Sequence, residues 1–104
     1  MNLPSRGEVW LCDLGMVAKV RPALILSVPF EDQDYALFHI VPHTTAVRNS
    51  QFEVAIPLSF LDSGVFNIQG SQSMPRSWLL RHLGTLTQDQ LAQIESSFRR
   101  WLQL

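Results

Sequence analysis

The feature that most constrains this chain is a change of hydrophobic period close to its C-terminal end. Up to Leu86 the apolar residues fall in short runs, each bounded by Gly, Pro or acidic residues, which is typical of β-strands. From Thr87 onward they recur every three or four residues, which is typical of an amphipathic helix. The chain is therefore expected to form a small sheet followed by one helix.

The predicted strands are short and closely spaced. Four are well defined by their content of Val, Leu, Ile and aromatic residues, and they cover residues 7–14, 20–28, 35–41 and 51–58. Weaker patterns predict further strands at residues 65–68, 71–74 and 83–86. Gly70 separates two of the weaker segments and predicts either a bulge or a close approach of another backbone.

The helix has a clear start. Thr87 followed by Gln90 is a capping box, in which each side chain accepts a hydrogen bond from the backbone N–H of the other residue. One apolar stripe follows, made of Leu91, Ile94, Phe98, Trp101 and Leu102. These patterns predict a strongly bent antiparallel sheet or barrel with a helix packed on it, in one domain over residues 1–104.

Composition excludes several classes of protein. Apolar residues make up 46% of the chain and charged residues 16%, as in a globular domain, and the net charge of −1 leaves any nucleic-acid contact to a local cluster of cations. The longest nearly apolar run, residues 23–30, is far shorter than the roughly 20 residues that cross a bilayer. Cys12 is the single cysteine, and no signal-peptide pattern precedes it, so we expect a reducing, cytoplasmic setting without membrane contact.

No metal ion or nucleotide cofactor is expected. His39, His43 and His82 lack cysteine partners and the short spacings of metal sites. Glycine-rich phosphate loops of the Walker or Rossmann type do not occur in the sequence. Cys12 lies inside a predicted strand and is interpreted as a small buried apolar residue.

Polar residues stand at the ends of two predicted strands. Arg21 opens the second strand in front of a proline, and His43, Thr44 and Thr45 close the third. A guanidinium can donate two parallel hydrogen bonds to a phosphate, a threonine hydroxyl can add a third, and a histidine can exchange a proton. Local features alone favour the alternative, a surface salt bridge at Arg21 beside an ordinary turn.

Four sequence blocks stand in order along the chain. They are Arg-Gly-Glu-Val-Trp at 6–10 with Asp-Leu at 13–14, Arg-Pro-Ala-Leu-Ile-Leu-Ser at 21–27, Val-Pro-His-Thr-Thr at 41–45 followed by Phe-Glu-Val at 52–54, and Leu-Arg-His-Leu-Gly-Thr-Leu-Thr at 80–87. In this order and spacing they resemble the MazF/PemK family of toxin endoribonucleases. The resemblance covers residues 5–102.

The resemblance implies an SH3-like antiparallel barrel with a C-terminal helix, of the CcdB, Kid and MazF type. It implies a homodimer that cuts single-stranded RNA at short motifs without a metal, through attack of the ribose 2′-OH, leaving a 2′,3′-cyclic phosphate and a 5′-OH. The family's catalytic arginine falls on Arg21 and its catalytic threonine on Thr44, with Thr45 as the alternative. A cognate antitoxin that covers the RNA groove is implied as the partner. His43, beside Thr44, is a further catalytic candidate on chemical grounds.

RNA binding with a net charge of −1 requires cations that converge on one groove. Predicted RNA contacts in loops or at strand ends are Lys19, Arg48, Gln72 and Arg76. Phe30, Phe66 and Trp78 are candidates for stacking on bases, with core packing as the alternative for each.

The chain departs from the family pattern in two places. Where many members carry Asp-Gln-Ile-Arg, this chain has neutral residues from Gln69 to Gln72, and the loop at residues 14–20 lacks the polar, glutamate-containing stretch that many members have. Two alternatives follow: a homologue that binds antitoxin or RNA but cuts weakly or not at all, and a gyrase-binding poison like the CcdB toxins, which would use the helix end near Trp101.

Overall fold

A computed structural model of the chain describes residues 3–15 and 19–104. Within them the chain forms seven strands and one α-helix, with short 3-10 helices at Ile68–Gly70 and Arg76–Trp78. In chain order the elements are β1 (Glu8–Asp13), β2 (Val20–Ile25), β3 (Leu37–Thr44), β4 (Glu53–Val54), β5 (Val65–Asn67), β6 (Gln72–Pro75), β7 (Leu79–Thr85) and α1 (Gln88–Leu102). The predicted order of strands followed by one helix is confirmed.

All strand pairs are antiparallel, and β3 is the centre of the sheet. The strand order is β4-β5-β3-β2-β1-β7. On the side of β3 away from β2, β6 pairs with its first half and β5 with its last two residues. No hydrogen-bonded pair closes the sheet in the described part of the chain, and the edge strands β6 and β7 instead contribute Met74 and Leu79 to one core cluster. The barrel-like sheet is therefore completed by packing.

Alternation along the strands places a core on each face of the sheet. Val9, Leu24 and Val41 lie opposite one another in register on β1, β2 and β3, and they pack with Ile94 and Phe98 of α1. Intervening residues point to the other face, as the two-residue period of a strand requires. Those that form the second core include Cys12, Ala23, Ile25, Phe38 and Ile40.

Cys12 is a buried member of the second core, as predicted. Its side chain is fully covered, and burial raises the pKa of the thiol to about 12. The thiol is therefore protonated and unreactive at neutral pH.

Several strand boundaries differ from the predictions because pairing, which the sequence pattern does not show, decides them. The third strand continues past Val41 to Thr44 because its last two residues pair with β5. The last strand begins at Leu79 because it pairs with β1 from that residue onward. The prediction of a strand over residues 51–58 is wrong for all but Glu53–Val54.

Glu53 explains why the fourth strand begins late. Its carboxylate accepts hydrogen bonds from the backbone N–H groups of Arg48 and Ser50, which holds the preceding segment in a turn. Phe52 and Ile56 still face the core. The predicted strand at residues 51–58 is therefore mainly a half-buried loop, whose apolar side chains face the core although its backbone pairs over only two residues.

The predicted capping box at the start of the helix is confirmed. Thr87 Oγ1 accepts from the Gln90 backbone N–H at 3.2 Å, and Gln90 Oε1 accepts from the Thr87 N–H at 2.9 Å. At Gly70 the close approach is made by side chains and not by a second backbone, since a Cβ there would lie 2.7 Å from Asn67 Nδ2 and 3.1 Å from Pro42 Cγ. Across residues 3–15 and 19–104, no helix is long and apolar enough to span a membrane.

Candidate active site

Arg21 and Thr44 meet across two neighbouring strands. Ala23 of β2 pairs with Pro42 of β3, and continuing this antiparallel register by two residues brings Arg21 opposite Thr44. Arg21 Nη1 donates a hydrogen bond to Thr44 Oγ1 at 3.0 Å, and the Ala46 backbone N–H donates to the same oxygen at 3.0 Å. With two hydrogen bonds accepted, the hydroxyl of Thr44 keeps its own proton for a ligand.

Two cavities flank this pair, and Arg21 and Thr44 line both of them. The first has a volume of about 330 Å³. Its other lining residues are Lys19, Val20, Pro22, His43, Thr45 and Asp62. The second has a volume of about 360 Å³. Arg48, Gln72, Asn67 and Glu53 are among its polar lining residues. A guanidinium and a hydroxyl thus stand where two polar cavities meet.

The structure brings together seven of the eight predicted site residues. Those on the first cavity are Lys19, Arg21, His43, Thr44 and Thr45, and those on the second include Arg48 and Gln72. Arg76 lines neither cavity: its guanidinium lies over the Trp10 ring at 5.3 Å and donates to the Leu79 carbonyl at 3.1 Å. A role for Arg76 in RNA binding stays a prediction.

The aromatic candidates for base stacking lie mainly in the core. Phe66 is fully buried, so the stacking interpretation is wrong for this residue. Phe30 and Trp78 are half-buried and pack against the second core. The alternative of core packing is therefore what the structure shows for Phe66 and favours for the other two.

His43 is the most buried polar residue of the first cavity. Its side chain is only 4% exposed, and its ring meets the Phe66 ring edge-on at 5.0 Å. Burial lowers the pKa of His43 because it disfavours the charged imidazolium, and the negative charge of Asp62 acts in the opposite direction. Since the lowering prevails, the imidazole is predominantly neutral at pH 7 and able to accept a proton.

Asp62 was not predicted as a site residue, and it lines the first cavity beside Lys19 and Arg21. The signal available for it was indirect. Asp62 begins an Asp-Ser-Gly turn that leads into β5, and β5 pairs with His43 and Thr44. Glu53 of the second cavity was assigned only to a strand, although its carboxylate organises the loop that carries Arg48.

No group of three or more His, Cys, Asp or Glu side chains within the described residues is arranged to hold a metal ion. Of the two departures from the family pattern, Gln69 is exposed and Gln72 lines the second cavity. The other departure is the loop at residues 14–20, and its residues 16–18 lie outside the described residues. Trp101 is half-buried between Phe98 and Phe52, as expected for a core residue.

The chain thus combines a barrel-like antiparallel sheet and a C-terminal helix with an arginine–threonine pair between two polar cavities. The family model of the PemK-like, MazF-like toxins of type II toxin-antitoxin systems matches residues 5–102, and the chain belongs to this family. No curated protein matches the chain significantly.

Solved structures agree in fold over the whole chain. An endoribonuclease from a mycobacterial species, in complex with its cognate antitoxin, is 29% identical and has a TM-score of 0.80, with 100% of this chain and 97% of that chain covered. MazF from Deinococcus radiodurans is 26% identical with a TM-score of 0.81, and both chains are covered completely. A MazE-MazF complex from the same organism is 25% identical with a TM-score of 0.80, covering 98% and 97% of the two chains.

Proposed function

We propose that this protein is the toxin of a type II toxin-antitoxin system and cuts single-stranded RNA, including mRNA, at short sequence motifs without a metal ion. The observation that carries the proposal is the 3.0 Å hydrogen bond from Arg21 to Thr44 at the meeting point of two cavities. Membership of the toxin family supports it, as do solved neighbours described as endoribonucleases.

The proposed reaction uses the RNA's own nucleophile. The ribose 2′-OH attacks the adjacent phosphorus, and the products are a 2′,3′-cyclic phosphate and a 5′-OH. Arg21 offsets the extra negative charge of the pentacoordinate phosphorus, and Thr44 donates its hydroxyl proton to a non-bridging oxygen. Preorganised donors of this kind are each worth about 10²- to 10³-fold in rate when measured by removal. DNA lacks the 2′-OH and is not cut.

The two cavities supply the RNA groove. Lys19 and Arg48 bring positive charge from either side of the Arg21–Thr44 pair, and Gln72 offers both a donor and an acceptor to a base or phosphate. Local convergence of these groups is what a chain with a net charge of −1 needs in order to bind a polyanion.

A cognate antitoxin and a second copy of the chain complete the proposed assembly. Solved neighbours include complexes of a toxin with its antitoxin. We expect the antitoxin to cover the groove with a flexible acidic and apolar segment, whose carboxylates would meet Lys19, Arg21 and Arg48. Because mRNA and the antitoxin are cytoplasmic molecules, the proposed activity belongs in the cytoplasm.

The test is cleavage of a long single-stranded RNA by the purified, antitoxin-free protein in excess EDTA. We expect cuts at a short motif, with 5′-OH and cyclic phosphate ends. Arg21→Ala and Thr44→Ala should each lower the cleavage rate by about 10²-fold or more because each removes a donor to the phosphate. The measurement is the single-turnover rate on an oligonucleotide that carries the mapped motif.

Two controls make the test specific. Arg99→Ala removes an exposed arginine of α1 that lines neither of the two flanking cavities, and it should keep the full rate. A substrate with one 2′-deoxyribose at the cut site should resist cleavage. Absence of cleavage by the folded wild-type protein would reject the catalytic proposal and leave antitoxin binding without RNA cleavage as the function.

A further inference from the structure

We propose that His43 is the general base that takes the proton of the attacking 2′-OH, and that Asp62 is a positioning residue that stabilises the imidazolium formed. This proposal rests on the ribonuclease function proposed above and assigns one of its chemical steps. It is carried by four residues that line a single cavity, His43, Asp62, Arg21 and Thr44.

His43 lies where a general base for this reaction would be needed. His43 directly precedes Thr44 on β3 and lines the cavity of about 330 Å³ together with Arg21, Thr44 and Asp62. A phosphate held by Arg21 and Thr44 would place the adjoining ribose in or beside this cavity. His43 is the only side chain of the cavity lining, among the described residues, whose ordinary pKa lies near neutrality.

The ring of His43 is held in place by packing. The imidazole is 4% exposed, and it meets the edge of the fully buried Phe66 ring at 5.0 Å with an interplanar angle of 72°. His43 and Phe66 also pair in register across β3 and β5. A general base works best when its rotamer is locked by packing, and this contact supplies that constraint.

The turn that carries Asp62 lies directly against the end of β3. This turn is pressed against His43 and Thr44: a Cβ at Gly64 would lie 2.3 Å from the Thr44 carbonyl oxygen and 2.8 Å from His43 Cε1. Only a glycine permits such an approach without displacement of the turn. The turn is therefore built against the catalytic strand end, and it brings the Asp62 carboxylate to the same cavity as the imidazole.

The charge of Asp62 favours the protonated form of His43. The other charged groups on the cavity are Lys19 and Arg21, both cationic, so an acidic residue beside a phosphate site needs a reason. Burial keeps His43 neutral and ready to accept a proton, but it also disfavours the imidazolium that results. The charge of Asp62 raises the pKa of His43 and so offsets part of that cost.

The proton and electron balance is complete without a metal. The 2′-O–H bond breaks as the 2′-oxygen bonds to phosphorus, and its proton passes to an imidazole nitrogen of His43. The P–O5′ bond then breaks with its electron pair on O5′, which takes a proton from water. The hydroxide left behind removes the proton from the imidazolium and restores the enzyme.

The experiment is a pH profile of the single-turnover rate for the wild-type protein, His43→Gln and Asp62→Asn on the mapped RNA substrate. The wild type should lose rate toward low pH as His43 becomes protonated. His43→Gln should abolish this acid limb and lower the plateau by about 10²- to 10⁴-fold. Asp62→Asn should move the acid limb to lower pH, because the carboxylate that raised the pKa of His43 is gone.

Two controls separate this role from simpler ones. Asp32→Asn removes an exposed carboxylate that lines neither cavity, and it should leave the profile unchanged. Asp62→Glu should restore most of the wild-type profile. NMR titration of the His43 ring in the wild type and in Asp62→Asn reports the same displacement without requiring RNA cleavage, and circular dichroism confirms that each variant is folded.

The outcomes are distinct. Cleavage that is lost in Arg21→Ala but keeps its full rate and its acid limb in His43→Gln overturns this proposal alone. An unmoved limb in Asp62→Asn with a changed KM assigns Asp62 to RNA recognition and overturns its positioning role. If the wild type cuts no RNA, both the ribonuclease and the general base are rejected, and the NMR titration then describes only an electrostatic pair.

Discussion

At the scale of single residues, the site depends on Gly64, because a residue with a side chain would not fit there. Gly64 lets the turn at residues 62–64 touch the end of β3, where His43 and Thr44 stand. Gly64→Ala would insert a methyl group 2.3 Å from the Thr44 carbonyl oxygen. Because this oxygen belongs to the backbone, it cannot easily move away. We expect a loss of about 1–3 kcal/mol in the free energy of unfolding, as is typical of overpacking.

Urea denaturation checks this value, with Ser63→Ala as the matched control because Ser63 is the exposed neighbour in the same turn. Ser63→Ala should change the unfolding free energy by less than about 0.5 kcal/mol. Gly64→Ala should also slow RNA cleavage, since the displaced turn no longer holds Asp62 beside His43. An unchanged stability in Gly64→Ala would show that the turn can move away freely.

At the scale of elements, α1 stabilises the sheet and lies apart from the two cavities. No residue of α1 lines either cavity. Its start depends on Thr87, whose hydroxyl accepts from the Gln90 N–H at 3.2 Å. Thr87→Ala removes this cap and should cost about 1 kcal/mol of unfolding free energy. Thermal denaturation followed by circular dichroism measures the change.

Thr87→Ser is the control for the helix cap because it keeps the hydroxyl and should retain nearly all of the stability. Both variants should cut RNA at the wild-type rate at temperatures where they are folded. A loss of activity in a folded Thr87→Ala protein would mean that the helix contributes to the site in a way that the cavity lining does not show.

At the scale of the whole molecule, two half-buried or buried histidines make stability depend on pH. Burial lowers the pKa of both His39 and His43 below the ordinary value of 6.5. The unfolded chain therefore binds more protons than the folded one as pH falls below 6.5, so the free energy of unfolding decreases below that value. Above it both histidines are neutral in either state, and they cause no loss of stability. This holds although His39 also contacts Ser73 Oγ through Nδ1 at 3.2 Å.

Urea denaturation between pH 7.5 and pH 5.5 tests this dependence. The wild type should lose stability across that range, and the double variant His39→Gln, His43→Gln should lose less. Equal slopes in the wild type and the double variant would contradict the assignment.

Local patterns in the chain were sufficient for the order of the elements and for part of the site. The capping box of Thr87 and Gln90 depends on residues only three positions apart, so it could be predicted and is observed. The family resemblance directed attention to Arg21 and Thr44, but their hydrogen bond depends on the register between β2 and β3.

The tertiary structure alone decided the rest. The segment around Glu53 alternates like a strand and yet pairs over two residues, because carboxylate hydrogen bonds turn the chain before it. Asp62 lines the same cavity as His43 because β5 pairs with the end of β3 and because Gly64 allows its turn to approach that end closely. Short-range patterns report the period of burial, whereas strand pairing between distant segments sets which side chains share a cavity, and that pairing is a property of the whole fold.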